Sequence, residues 1–134
     1  MPVTESAVRT PLELFDLTGR RAIVTGASRG IGQAIAVAYA AHGAQVLAVA
    51  RTESGLFETQ ERAKDLPGSV RPLAADLSSS DGVAAAIESA ASSLGGIDIL
   101  VNNAGYDNEQ SLEATTLPEW NKVMGLNVDA LLVA

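Results

Sequence analysis

Short apolar segments rich in β-branched residues alternate along this chain with longer segments that favour helix. We predict strands at residues 21–25, 45–50, 69–74 and 97–101, and helices at residues 31–42, 53–64, 80–93 and from near Pro118 to the chain end. This alternation is typical of βαβ units, whose right-handed crossovers place parallel strands side by side with helices on both faces. The sequence therefore predicts an α/β fold with a doubly wound parallel β-sheet, Rossmann-like, that is truncated after about four strands and the helix following strand four.

Composition favours one domain and excludes several classes of partner. The 134 residues, 47% of them hydrophobic, can bury one core, so we expect a single domain over residues 1–134 with a loose leader over residues 1–16. The net charge of −7 argues against nucleic acid or an anionic membrane as a partner. With no cysteine and one histidine, His42, we expect no metal site. No segment approaches the roughly 18 apolar residues of a membrane span, which favours a cytoplasmic protein.

A glycine-rich segment connects the first predicted strand to the first predicted helix. Residues 25–32 read Thr-Gly-Ala-Ser-Arg-Gly-Ile-Gly. Glycines permit a tight turn, close approach of the backbone to a ligand and close packing of helix on strand, while free N–H groups at the helix start attract an anion. The segment predicts a pyrophosphate-binding turn, with an ordinary strand-to-helix turn as the alternative. It is not a P-loop, because Gln33 stands where a lysine would be required.

The glycine segment fits the pattern T-G-x-x-x-G-x-G position by position. Together with Asp76-Leu77 after strand three, residues 102–105 (Asn-Asn-Ala-Gly) after strand four and Asn127 in the last helix, it resembles the classical short-chain dehydrogenase/reductase family over nearly the whole chain. The resemblance implies that the turn cradles a pyrophosphate, that the aspartate contacts the adenine and that the Asn-Asn-Ala-Gly loop steadies strand four beside the cofactor ribose. The implied cofactor-binding residues are Gly26, Ser28, Arg29, Gly30, Ile31, Gly32, Asp76, Leu77, Asn103, Ala104 and Gly105.

The end of strand two indicates which dinucleotide is bound. An NAD enzyme places a carboxylate there to hold the ribose 2′-hydroxyl, whereas this sequence has Ala50 and then Arg51. The guanidinium of Arg51, joined by that of Arg29, would bind a 2′-phosphate through charge-assisted hydrogen bonds. We therefore expect NADP(H) rather than NAD(H). Both arginines also suit an exposed surface, and Glu53 is near enough in sequence to compete for the ribose.

Among the catalytic residues that the resemblance implies, the sequence contains one. Asn127 corresponds to the tetrad asparagine that supports a water in the proton relay; the alternative is an ordinary polar helix residue. The serine and the Tyr-x-x-x-Lys of the family do not occur, since Tyr39 is followed four residues later by Gly43 and Tyr106 by Gln110. Without the acid that protonates a carbonyl oxygen, we expect the chain to be inactive alone.

The sequence is compatible with three functions. The first is an NADP(H)-dependent oxidoreductase that interconverts an alcohol and a carbonyl on a small-molecule substrate, of which this chain carries the cofactor-binding half. The second is a non-catalytic NADP(H)-binding module, and the third an inactive fragment that pairs with another chain. Residues 14–19 resemble family members that act on sugar acids and polyols. We expect a homo-oligomer in a full-length form, and self-association of this chain through uncovered apolar surface.

Overall fold

The computed structural model describes residues 13–134, which form one parallel sheet covered by helices. The strands are β1 (Arg21–Thr25), β2 (Gln45–Ala50), β3 (Ser69–Ala74) and β4 (Ile99–Val101), in the spatial order β3-β2-β1-β4. All three strand pairs are parallel. The strand order reverses direction at β1, between β2 and β4, which makes this a doubly wound α/β sheet of the Rossmann type. The predicted fold class is confirmed.

The helices lie where the sequence predicts them, with small differences at their ends. They are α1 (Gly30–Ala41), α2 (Glu53–Arg62), α3 (Ser80–Leu94), α4 (Leu117–Met124) and α5 (Ala130–Val133). Between α4 and α5 the backbone makes a π-helical turn at Gly125–Asp129, so the predicted last helix is interrupted by one wider turn. Among the helices of residues 13–134, none is long and apolar enough to cross a membrane.

Two apolar layers, one on each face of the sheet, hold the helices in place. Successive side chains of a strand point to opposite faces, so Ala22 and Val24 of β1 pack towards α1 and α2, whereas Ile23 packs towards α3. The layer under α1 is rich in alanine, including Ala36 and Ala40 of the helix itself, both fully buried. Because these side chains are small, the helix axis lies close to the sheet and brings the start of α1 near the end of β1.

The segment before β1 is only partly described. Residues 1–12 of the predicted leader lie outside the described residues. Glu13–Phe15 form a single 3-10 turn, and the N–H of Leu17 donates to the carbonyl oxygen of His42 at 2.8 Å. Leu17 also packs against the alanine-rich layer. The chain is therefore attached to the end of α1 before β1 begins.

An ion pair joins β1 to the start of β4 at the amino-terminal edge of the sheet. The Nε and Nη2 atoms of Arg21 donate to the two carboxylate oxygens of Asp98 at 2.8 and 3.0 Å, and its Nη1 donates to the carbonyl oxygen of Gly95 at 2.6 Å. These hydrogen bonds to Asp98 hold the pKa of its carboxyl well below the ordinary value of 3.8. β4 begins at Ile99, two residues later than predicted, directly after the residue that bonds to Arg21.

Replacing this carboxylate is expected to destabilise the fold in a pH-dependent way. The Asp98→Asn variant should melt at a lower temperature than the unaltered chain at pH 7. Because the folded-state pKa is depressed, the ion pair contributes fully above pH 3.8; its contribution decreases as the pH falls below that value and is lost only as the pH falls through the depressed folded-state pKa. Thermal melts recorded from pH 7 down to pH 3 should therefore show the difference between the two proteins narrowing towards the acid end.

The matched control is Glu61→Gln, which removes a carboxylate from a solvent-exposed pair with Lys64. Exposed pairs of this kind contribute little to stability, so this variant should melt close to the unaltered chain at every pH. A gap between Asp98→Asn and the unaltered chain that stays constant down to pH 3 would contradict the assigned role of Asp98.

Candidate functional site

A groove of about 790 Å³ opens at the carboxyl-terminal edge of the sheet, where the loops after the strands meet. Ligands of doubly wound folds bind in this position, beside the point where the strand order reverses. The predicted cofactor-binding residues that line the groove are Gly26, Ser28, Arg29, Gly30, Ile31, Arg51, Asp76, Leu77, Asn103, Ala104 and Gly105. Segments that are up to 79 residues apart in the sequence, Gly26 and Gly105, are thus brought to one surface.

Gly32 is the predicted residue that does not line the groove, and its position explains why it is glycine. It is buried behind the turn, and a Cβ atom there would collide with the carbonyl oxygen of Gly26 and with the side-chain amide of Asn103. A Cβ on Gly26 would lie 2.8 Å from the same amide nitrogen and 2.9 Å from the Cα of Ala104. Both glycines make room for the side chain of Asn103.

Asn103 connects the loop after β4 to the glycine turn. Its Nδ2 donates to the carbonyl oxygens of Thr25 at 3.0 Å and of Gly26 at 3.3 Å. In return, the hydroxyl of Thr25 accepts from the backbone N–H groups of Asn103 and Ala104, both at 3.0 Å, and lies 3.2 Å from the carbonyl oxygen of Val101. The ends of β1 and β4 therefore form one hydrogen-bonded unit under the groove.

The amino terminus of α1 faces the groove without a side-chain cap. Arg29 occupies the N-cap position in an extended conformation, and its side chain makes no capping hydrogen bond. Gly30, the first helical residue, has a φ of +58°, which favours glycine, and a Cβ there would meet nothing within 4 Å. By contrast, Ser79 caps α3 and Thr116 caps α4. The uncapped N–H groups and the helix dipole of α1 favour an anion here.

The charges around the groove are arranged asymmetrically. Arg29 and Arg51 are exposed on its wall, and neither forms an ion pair with any of residues 13–134. Glu58 also lines the groove, but its carboxylate is held at 2.7 Å by Arg62, one helical turn further along α2. Glu53, which is near enough in sequence to compete with the arginines for the ribose, does not line the groove. The unpaired charges at the end of β2 are therefore positive.

Asp76 follows β3, the strand next to β2, so it lies on the same side of the glycine turn as Arg51. Its Oδ1 accepts from the N–H of Ser78 at 3.0 Å, and this hydrogen bond, with a further contribution from the positive charge of Arg51, lowers the pKa of Asp76. The carboxylate is thus ionised at neutral pH and its orientation is set by its own turn. It can accept a hydrogen bond from a donor within the groove.

Asn127 lies in the π-helical turn, outside the set of residues that line the groove. Its side chain makes a reciprocal pair of hydrogen bonds with the backbone of Tyr106: Oδ1 accepts from the N–H at 2.8 Å, and Nδ2 donates to the carbonyl oxygen at 2.9 Å. Lys122 lies 4.4 Å above the ring of Tyr106. Asn127 therefore fixes the loop after β4 against the last helix.

The contribution of α2 to the groove was not predicted from the sequence. Its N-cap and three residues of its first six line the groove: Thr52, Ser54, Gly55 and Glu58. The glycine at position 55 could have indicated this contact. A Cβ on Gly55 would lie 2.7 Å from the carbonyl oxygen of Ser28, so α2 packs directly on the glycine turn. Gly55 interrupts an otherwise ordinary helical pattern, which often marks such a close approach.

The tight fit behind the turn predicts an asymmetry between two glycine-to-alanine substitutions. Gly32→Ala should lower the free energy of unfolding by about 2 kcal/mol, because the added methyl group meets backbone that cannot move away. Gly125→Ala is the control, since a Cβ there meets only the carbonyl oxygen of Ser78 at 4.0 Å and the residue is helical. It should be neutral or slightly stabilising. Urea unfolding of both variants tests this, and equal stabilities would contradict it.

The family model described as short chain dehydrogenase matches residues 20–134. Among curated proteins, the glucose 1-dehydrogenase of Gluconobacter oxydans is 36% identical over 116 residues, which cover 86% of this chain and 44% of the relative. The chain thus spans less than half the length of this relative.

Solved structures agree with the family match. A short-chain type dehydrogenase/reductase from Mycobacterium marinum superimposes with a TM-score of 0.86 at 37% identity, covering 93% of this chain and 51% of the other. The L-sorbose reductase of Gluconobacter frateurii, solved with NADPH and L-sorbose, gives 0.82 at 36% identity, covering 89% and 46%. The match to the family model covers most of the chain. This chain therefore belongs to the short chain dehydrogenase family.

Proposed function

We propose that this chain is the NADP(H)-binding part of an oxidoreductase that interconverts an alcohol and a carbonyl on a small substrate. The observation that carries the cofactor preference is the pair of arginines, Arg29 and Arg51, that line the groove without a partner among residues 13–134. A 2′-phosphate brought to this wall would gain two charge-assisted contacts. The NADPH-bound L-sorbose reductase, similar in fold at 36% identity, supports the same choice.

The remaining residues of the groove fit the other parts of a dinucleotide. The uncapped start of α1, with Gly26, Ser28, Gly30 and Ile31, offers N–H groups to a pyrophosphate. After β3, the ionised carboxylate of Asp76 can accept a hydrogen bond from the amino group of adenine, and Leu77 offers an apolar edge. We place the adenosine end between β2 and β3 on this basis.

The loop after β4 is proposed to hold the ribose next to the nicotinamide. Asn103, Ala104 and Gly105 line the groove on the far side of the glycine turn, and Asn103 is held there by Thr25. NADP(H) supplies the hydride of the reaction. Asn127 is proposed as the tetrad asparagine; since its side chain is occupied by the backbone of Tyr106, its backbone is the group left to support a water.

The sugar chemistry of relatives defines the substrate class that we propose. The glucose dehydrogenase and the L-sorbose reductase both act on small polyhydroxylated molecules, and residues 14–19 point in the same direction. We therefore propose that the substrate is a sugar, sugar acid or polyol. A non-catalytic NADP(H)-binding module is the second candidate, because the residues to which this proposal gives a role in the groove all bind the cofactor.

The cofactor preference is tested by titrating the chain with NADPH and NADH. We expect tighter binding of NADPH. Arg51→Glu should weaken binding of NADPH by about 100-fold, because a favourable contact to the 2′-phosphate becomes a repulsive one. It should not weaken binding of NADH, because a carboxylate at the end of β2 can hold the ribose 2′-hydroxyl. Isothermal titration calorimetry at fixed ionic strength measures both.

The charge-matched control for this test is Arg20→Glu. Arg20 is exposed at the amino-terminal edge of the sheet, just before β1, and the substitution changes the net charge by the same amount. This substitution should leave the ratio of the affinities for NADPH and NADH unaltered. Equal or tighter binding of NADH by the unaltered chain would overturn the proposed preference.

Turnover separates the two candidate functions. We expect residues 1–134 to bind NADPH without oxidising it, and a protein that joins them to the family's serine and Tyr-x-x-x-Lys to oxidise NADPH with a ketose. Absorbance at 340 nm, the NADPH band, reports this directly. Binding without oxidation by that longer protein, over a panel of ketoses and keto acids, would favour the non-catalytic module.

A further inference from the structure

A buried polar pair lies behind the glycine turn, between α1 and α2. Thr59 of α2 is fully buried and Gln33 of α1 is 8% exposed. The Nε2 of Gln33 donates to the hydroxyl oxygen of Thr59 at 3.0 Å. Burying an amide and a hydroxyl between two helices is unfavourable unless both are hydrogen-bonded, and apolar side chains of the same shape would join the helices as well. The burial of these polar atoms therefore indicates a role other than joining the two helices.

Both side chains bond to carbonyl groups of the glycine turn. The hydroxyl of Thr59 donates to the carbonyl oxygen of Ala27 at 2.8 Å, with the carbonyl oxygen of Gly55 also within reach at 3.0 Å. The Nε2 of Gln33 makes a longer contact of 3.5 Å to the carbonyl oxygen of Ser28. Two successive carbonyl groups of the turn are thereby drawn towards the interior.

The orientation of these carbonyls determines where the next N–H groups point. In a trans peptide the C=O of one residue and the N–H of the next lie in one plane and point in opposite directions. With the Ala27 carbonyl held by Thr59, the N–H of Ser28 points away from α2. With the Ser28 carbonyl turned towards the side chain of Gln33, the N–H of Arg29 points away from that side chain. Among residues 13–134, neither N–H has an acceptor, and both residues line the groove.

We infer that Gln33 and Thr59 are positioning residues for the pyrophosphate, an inference that rests on the function proposed above. They touch no ligand. They hold the Ala27 and Ser28 peptides so that two N–H donors face the groove before a dinucleotide arrives, and binding then costs less ordering of the turn. Their effect is confined to the pyrophosphate, because the 2′-phosphate is assigned to the arginine side chains.

Thr59→Val tests this inference with two ligands. The substitution keeps the shape of the side chain and removes the hydrogen bond to Ala27. We expect binding of NADPH to weaken about tenfold, the effect of one lost charge-assisted hydrogen bond. Binding of adenosine 2′-phosphate, which has no pyrophosphate, should be unchanged. Calorimetry for NADPH and ligand-observed NMR for adenosine 2′-phosphate give the two values.

Three further variants separate positioning from stability. Thr59→Ser retains the hydroxyl and should restore NADPH binding, and Gln33→Met should weaken NADPH alone, as Thr59→Val does. Asp98→Asn, destabilised at the opposite edge of the sheet, should bind both ligands normally. Each is measured at a temperature at which circular dichroism shows it folded, so that only folded protein is compared.

The possible outcomes distinguish this inference from the proposed function. If NADPH binds the unaltered chain and Thr59→Val equally well, or if both ligands weaken in parallel, the positioning role is overturned while the proposed cofactor stands. Weak NADPH binding by Asp98→Asn would also overturn it, since loss of stability alone would then explain the effect. If the unaltered chain does not bind NADPH, the proposed function itself is overturned, and this inference with it.

Discussion

The contact of the Asn103 side chain with the backbone of the glycine turn is the constraint on which the rest of the site depends. It requires glycine at positions 26 and 32, because any Cβ there would occupy the space of the amide or of the turn itself. The hydroxyl of Thr25 completes the contact from the other side. Since these hydrogen bonds join the ends of neighbouring strands, the position of the turn is determined by the sheet and not by the loop alone.

The two edges of the sheet use polar groups in different ways. At the amino-terminal edge, Arg21 and Asp98 form an ion pair that stabilises the pairing of β1 with β4 and leaves neither of these two charges for a ligand. At the carboxyl-terminal edge, Arg29 and Arg51 line the groove without an ion pair among residues 13–134, and the start of α1 has no side-chain cap. These two arginines therefore lie at the edge where doubly wound sheets bind dinucleotides.

Local sequence patterns account for most of the fold, whereas contacts between distant residues account for what the patterns missed. Alternating apolar segments predicted β2 and β3 at their observed bounds. The ion pair just before β4 joins Asp98 to Arg21, a residue 77 positions away. The π-helical turn contains Asn127, whose partner Tyr106 lies 21 positions earlier. Gln33 likewise gave no local sign of its partner in α2, because a glutamine in a helix usually faces solvent.

We propose that the groove at the carboxyl-terminal edge holds NADP(H), with the pyrophosphate at the glycine turn and the 2′-phosphate at Arg51. The most direct test is a ¹H–¹⁵N NMR titration of the isotope-labelled chain with NADPH, which reports on each amide separately. We expect the amide signals of Ser28 and Arg29 and the side-chain Nε signal of Arg51 to shift on binding. Shifts confined to the opposite edge around Asp98, or no shifts at any of these residues, would contradict it.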